Sequence, residues 1–190
     1  MNIIIIGPSG SGKGTQAELL GQKLNLPTLS VGQVLRDEHR AKTVLGEKAY
    51  HYWSRGELVP DQLTFAIVKS RLDQYDRGFI LDGLPRRFDQ IAFLEEYLRQ
   101  KGQQIDKVIH LEIDDAEAIK RLLLRAKQDK DKTGKARDDE TRSAIKNRLA
   151  FYHRQTQPIL DYFDKEGKLL NINGQRSIEV IHNDILPRLS

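Results

Sequence analysis

A chain of 190 residues has the length of one domain with small inserts, and 38% hydrophobic with 31% charged residues places it among globular proteins rather than disordered or fibrous ones. No apolar run reaches the ~18–20 residues of a membrane span, the start Met1-Asn2-Ile3 carries no basic region ahead of its isoleucines, and the lack of cysteine excludes disulfides, thiolate metal sites and cysteine nucleophiles. The net charge of +4 is concentrated in residues 120–148, where eleven Lys or Arg face five acids, so one anionic ligand at one place is expected rather than a coat for nucleic acid. A cytoplasmic protein with no membrane attachment is the plain reading.

Short apolar stretches at residues 3–6, 27–30, 79–81, 108–113 and 169–172 alternate with amphipathic, helix-length segments. That alternation predicts an α/β fold with a parallel sheet. Ser30 with Gln33, and Asp114 with Glu117, have capping-box spacing, and Pro60 suits a first helical turn. Two segments exceed what a crossover needs. Residues 31–60 hold extra helical material with Gly46 and Gly56 as breaks, and residues 127–136 are polar, charged and without apolar period, which predicts a loop tip.

Directly after the first strand stands Gly7-Pro8-Ser9-Gly10-Ser11-Gly12-Lys13-Gly14-Thr15, followed by a helix with apolar residues at 17, 19, 20 and 24. Glycines let successive backbone N–H groups face one anion, the helix N-terminus adds its dipole and Lys13 a full charge, so the segment is a phosphate cradle. Gly14 fills the slot where the generic pattern has a magnesium-ligating hydroxyl, which here moves to Thr15. Asp82 ends the third apolar strand, where an acid orients magnesium-bound water. Arg36, Arg86, Arg121, Arg125, Arg137 and Arg148 supply the guanidinium forks that phosphoryl transfer asks for. No histidine pair has ligand spacing, and His110, inside a strand, reads as a satisfied core residue.

The Gly-Lys-Gly-Thr-Gln form of the cradle resembles the adenylate kinase family of nucleoside monophosphate kinases. Four more stretches carry the same resemblance in the family's order: Leu29-Ser30-Val31-Gly32 with Arg36; Gly56-Glu57-Leu58-Val59-Pro60; residues 78–86, ending Asp82-Gly83-Leu84-Pro85-Arg86, with Gln90; and Arg137-Asp138-Asp139-Glu140 with Arg148. The resemblance implies a P-loop three-layer α/β fold around a five-stranded parallel sheet, with a core at 1–29, 60–125 and 138–190, an acceptor-binding insert at 30–59 and a short lid at 126–137. It implies reversible transfer of the terminal phosphoryl group of ATP to AMP, giving two ADP, by a monomer using Mg²⁺, and without cysteines the insertion at 127–136 cannot carry a four-thiolate zinc site.

Carried over residue by residue, the resemblance assigns catalysis to Lys13, Arg86, Arg125, Arg137 and Arg148. ATP would meet Gly10, Ser11, Gly12, Lys13, Gly14, Thr15, Arg121, Arg125 and Arg176. AMP would meet Ser30, Val31, Arg36, Glu57, Leu58, Val59, Gly83, Arg86, Gln90, Arg137 and Arg148, and Asp82 would act on the metal through water. Gln90 is the specificity residue, since an amide can pair bidentately with an adenine edge. Val31 and Leu84 stand where the family has Thr and Phe, which keeps a kinase for CMP, UMP or dGMP open as an alternative. A nucleotide-binding module without turnover is the rival from another class, and Lys13, Asp82 and the arginine set argue against it.

Overall fold

The computed structural model describes residues 1–133 and 141–189. Among them five strands form one parallel sheet: β1 Asn2–Ile6, β2 Thr28–Ser30, β3 Phe79–Asp82, β4 Lys107–Glu112 and β5 Leu169–Asn173, in the order β2-β3-β1-β4-β5. The strand predictions therefore hold to within one residue at every end. β1 sits at the centre, and its run of four isoleucines is what a strand covered on both faces requires. Alternate side chains point to opposite faces. Ile4 and Ile6 join Leu29, Leu81 and Val108 in one core, while Ile3 and Ile5 join Ile80, Ile109 and Ile172 in the other.

Helices α1 Lys13–Leu24 and α8 Ile178–Ile185 cover the second face through Ala17, Leu20, Ile181 and Ile185. The first face is covered by α2 Val31–Arg40, α3 Val44–Trp53, α4 Asp61–Leu72, α5 Asp89–Gln100 and α7 Arg142–Lys165, with Leu35, Ala49, Val68, Leu94 and Phe163 among the buried contacts. α6 Asp115–Thr133 packs Ala118 and Leu122 against Ile145 and Leu149 of α7. His110 is buried in β4, hydrogen-bonded to Asn171 at 2.9 Å and to the Tyr152 hydroxyl at 2.7 Å, and burial lowers its pKa.

Several local expectations change. Asp114 does cap α6, accepting from the Glu117 N–H at 2.7 Å, but Glu117 turns to Arg121 instead of back to the cap. Ser30 occupies the N-cap position of α2 without a capping bond. Its hydroxyl donates to Asp82 Oδ2 at 3.2 Å, because β2 and β3 end side by side. Pro60 precedes α4 as its N-cap residue rather than lying in the first turn. Gly46 breaks nothing: it lies inside α3, and a Cβ there would come within 2.3 Å of the Glu38 backbone, so glycine lets α2 and α3 touch. The expected loop tip is helical at its start, since α6 continues through Thr133. The polar composition of 127–133 fits a helix end that leaves the core, where no apolar stripe is needed.

Candidate active site

The carboxyl ends of the strands converge on one side of the sheet, and the first crossover, from β1 through α1 to β2, steps past β3. In open parallel sheets ligands bind in the crevice at such a switch point. The cradle lies there. Gly10 has φ +91°, and a Cβ on it would stand 2.8 Å from the Ala118 carbonyl oxygen, so only glycine lets the loop press against α6. Ser11 is buried, with its N–H bonded to the Pro8 carbonyl at 3.1 Å and its hydroxyl unpartnered among the described residues. Gln16 is buried and donates to the Ile178 carbonyl at 2.9 Å, which ties α1 to the start of α8.

Lys13 opens α1, and its ammonium donates to the Pro8 carbonyl at 2.9 Å. Burial pulls its pKa down to about 8. Asp82 opposes that shift, whereas Arg86, Arg125 and Arg148 reinforce it. Four cations and one carboxylate thus share a confined space, an arrangement that favours binding of a polyanion.

Three cavities meet at this place, and two of them between them hold the predicted residues. A wide, open cleft is lined by Gly10, Ser11, Gly12, Lys13, Gly14, Thr15, Ser30, Asp82, Arg121, Arg125 and Arg176. A smaller pocket is lined by Val31, Glu57, Leu58, Val59, Gly83 and Gln90. Arg36, Arg86 and Arg148 line both. Every predicted site residue among the described ones therefore faces one cavity or the other. Arg137 lies outside the described residues, as do Asp138, Asp139 and Glu140.

Local bonds aim the arginines. Arg86 Nε donates to the Gly83 carbonyl at 2.9 Å, and Arg36 donates to Gln33 at 2.9 Å. Arg121 is held by Glu117 at 2.7 Å and by the Gly174 carbonyl at 2.9 Å. Arg176 bonds the Asn173 carbonyl and pairs with Asp184. The wall of the smaller pocket includes Leu35, Trp53, Thr64 and Leu84. Of these, Trp53 falls within the expected acceptor insert at 30–59 and Leu84 is a departure from the family pattern, and nothing in local spacing predicts Leu35 or Thr64.

Gln90 does not match its expected two-point role. Its Oε1 accepts from the Arg86 N–H at 2.6 Å and the Arg87 N–H at 3.3 Å, and its Nε2 donates to Asp61 Oδ1 at 2.6 Å. The carbonyl is occupied by the protein, which leaves one N–H for a ligand. Asp61 and Arg87, which pair with each other, are absent from the sequence-based site because an acid in a helix's first turn is unremarkable. Their convergence needs two segments 26 residues apart in the chain.

The same donors decide how a metal could be held. Among the described residues no three His, Asp or Glu side chains converge into a metal-binding group. Asp82 stands close to the cradle, its Oδ2 being 3.8 Å from where a Cβ on Gly14 would be. A single carboxylate beside a phosphate cradle fits a magnesium ion that arrives with nucleotide phosphates and keeps its waters. Among the described residues no helix is long and apolar enough to cross a membrane.

A sequence model of the family described as adenylate kinase matches residues 5–168. Among curated proteins the chain is 42% identical to adenylate kinase 1 of Nostoc sp. over 96% of its length and 95% of that protein's. It is 39% identical to the adenylate kinase of Methanocella arvoryzae over 97% and 96% of the two chains, and 40% identical to that of Thermobifida fusca over 95% and 94%.

Proposed function

The chain belongs to the adenylate kinase family, and from that premise we propose that it transfers the terminal phosphoryl group of ATP reversibly to AMP, giving two ADP. The observation that carries this reading is the seam where Arg36, Arg86 and Arg148 line the cradle's cleft and the smaller pocket alike. A site that only held one nucleotide would need no second cavity opening onto the same guanidinium groups.

In this reading the amides of residues 10–15 and Lys13 hold the ATP phosphates, with Arg121 and Arg176 along the wall that leads to its base. Ser30, Val31, Arg36, Glu57, Leu58, Val59, Gly83 and Gln90 enclose AMP, whose phosphate meets Arg86 and Arg148. Lys13, Arg86, Arg125 and Arg148 surround the phosphoryl group in flight, and the family resemblance adds a catalytic role for Arg137. Phosphoryl transfer needs mainly positioning and positive charge on the equatorial oxygens. The nucleophile is a phosphate oxyanion, so no general base is required. Asp82, with the Ser30 hydroxyl holding one of its oxygens, would orient the waters of Mg²⁺ brought by ATP. The ion would neutralise charge on the nucleotide phosphates. The insert at 30–59 and the lid at 126–137 would close over the substrates to exclude water, and the substrates named suit a cytoplasmic enzyme.

Coupled measurement of ADP formation from ATP with AMP, CMP, UMP and GMP in parallel tests the proposal. AMP should give the highest kcat/KM. No ADP with any acceptor would overturn the kinase reading, and a preference for another acceptor would overturn the choice of AMP alone.

A further inference from the structure

Gln90 is 1% exposed, yet it lines the acceptor pocket. Its amide is held in one orientation by chemistry that admits no flip. The Arg86 and Arg87 N–H groups can only donate, so they require Oε1. The Asp61 carboxylate can only accept, so it requires Nε2. Asp61 is the first residue of α4, directly after the acceptor segment 57–60, and its other oxygen is taken by Arg87. That ion pair keeps the carboxylate turned toward Gln90 on one side and toward a cation on the other.

We infer that Asp61, which touches no substrate, is the positioning residue that makes Gln90 a pure hydrogen-bond donor toward the acceptor base, and that Asp61 thereby selects bases with an unprotonated ring nitrogen at the contacted edge. The inference rests on the proposed AMP acceptor site. Adenine offers a lone pair at N1. Hypoxanthine and guanine carry a hydrogen there and present N–H to N–H, a contact with no bond and a desolvation penalty. The carbonyl that would accept that hydrogen is unavailable, because both its lone pairs receive backbone donors. Selection against a 6-oxopurine thus arises away from the base, from the backbone donors on Oε1 together with the ion pair that holds Nε2.

The test uses the full-length enzyme with ATP as donor and AMP or IMP as acceptor, since the two acceptors differ only at the six-position and N1. In Asp61→Asn the new amide places its NH₂ against either Arg87 or Gln90, and both choices are repulsive. Gln90 Nε2 then loses its acceptor, and the amide is held only by the Arg86 and Arg87 N–H groups on its other side. KM for AMP should rise about tenfold and the AMP-to-IMP ratio of kcat/KM should fall about tenfold, with KM for ATP changed less than twofold. Asp61→Asn combined with Arg87→Gln restores the pattern, because the asparagine NH₂ can donate to the side-chain carbonyl introduced by Arg87→Gln while its own carbonyl accepts from Gln90. The double variant should recover the AMP-to-IMP ratio to within about threefold of wild type, which a purely electrostatic or purely structural role for Asp61 would not allow.

An unchanged ratio in a folded Asp61→Asn enzyme, or a double variant no better than the single one, would overturn the inference. Should the single variant not fold, the double variant alone decides: a wild-type ratio supports the inference and a lost one overturns it. Gln90→Asn separates this from the acceptor-site reading. If it lowers the AMP-to-IMP ratio while Asp61→Asn does not, only the Asp61 role fails. If neither variant moves the ratio, the placement of the acceptor base beside Gln90 fails as well.

Discussion

Gly56 lies so close to Ala144 that a Cβ on it would come within 2.5 Å of the Ala144 carbonyl oxygen. The contact joins the end of the acceptor insert to the first turn of α7, the helix that carries Arg148, and a bond from Asn147 to the Arg55 carbonyl at 3.1 Å reinforces it. Gly56 also has φ +72°, where a side chain costs about 1–2 kcal/mol. The proposed acceptor segment and Arg148 are therefore fixed to each other through Gly56 and Asn147.

Gly56→Ala should lower Tm by roughly 2–8 °C, given that strain and the ~2–4 °C per kcal/mol usual at this length. It should also raise KM for AMP more than KM for ATP, because the displaced segment includes Glu57, Leu58 and Val59. Thermal melts and both KM values decide it. An unchanged Tm would show that the contact is not held in solution.

Lys13→Met should reduce kcat by orders of magnitude, since it removes a full charge from a confined site where charge acts strongly. The fold should persist and melt higher at pH 7. The sign follows from a folded-state pKa of about 8 against 10.5: between those values the unfolded chain binds more protons, so stability rises with pH there, and the cost of burying the charged amine is fully present below pH 8. A loss of kcat smaller than tenfold, about 1.4 kcal/mol, would remove Lys13 from the transfer step.

The same depressed pKa predicts proton uptake when ATP binds the free protein. Phosphate oxygens beside the amine favour its charged form and raise its pKa. Below pH 8 the amine already holds its proton. Near pH 9 ATP should bring close to one proton with it, and affinity should fall as pH climbs past 8. Calorimetry in two buffers of different ionisation enthalpy measures the uptake, and Lys13→Met should abolish it. Zero uptake by wild type at pH 9 would contradict the burial of the amine.

Trp53 lines the smaller pocket, the proposed acceptor site, and packs edge-on against His39, with ring centroids 5.6 Å apart, and Tyr50, at 5.5 Å. AMP should alter its emission at concentrations near KM, and ATP alone should do so less. Equal responses to AMP and ATP would place the smaller pocket outside the acceptor site.

What the sequence alone determined is whatever depends on neighbours a few residues apart. Four consecutive isoleucines give a strand buried on both faces wherever they are placed, and Gly10 to Lys13 at the mouth of a helix make a phosphate cradle from backbone geometry and one charge. The five strands and the cradle were legible for that reason. Tertiary structure decided what depends on partners far along the chain. Ser30 has the sequence of a helix cap, but β3 brings Asp82 beside it, and a charge-assisted bond to a carboxylate is roughly twice as strong as a neutral one. Gly46 reads as a helix break until α2 packs against it. Gln90 reads as an amide free to pair with a base on both sides, but Arg86, Arg87 and Asp61 occupy three of its hydrogen-bonding positions. Propensity and spacing assign each residue its local options, and the buried polar group takes whichever option satisfies all its bonds, a choice made only when distant segments have met.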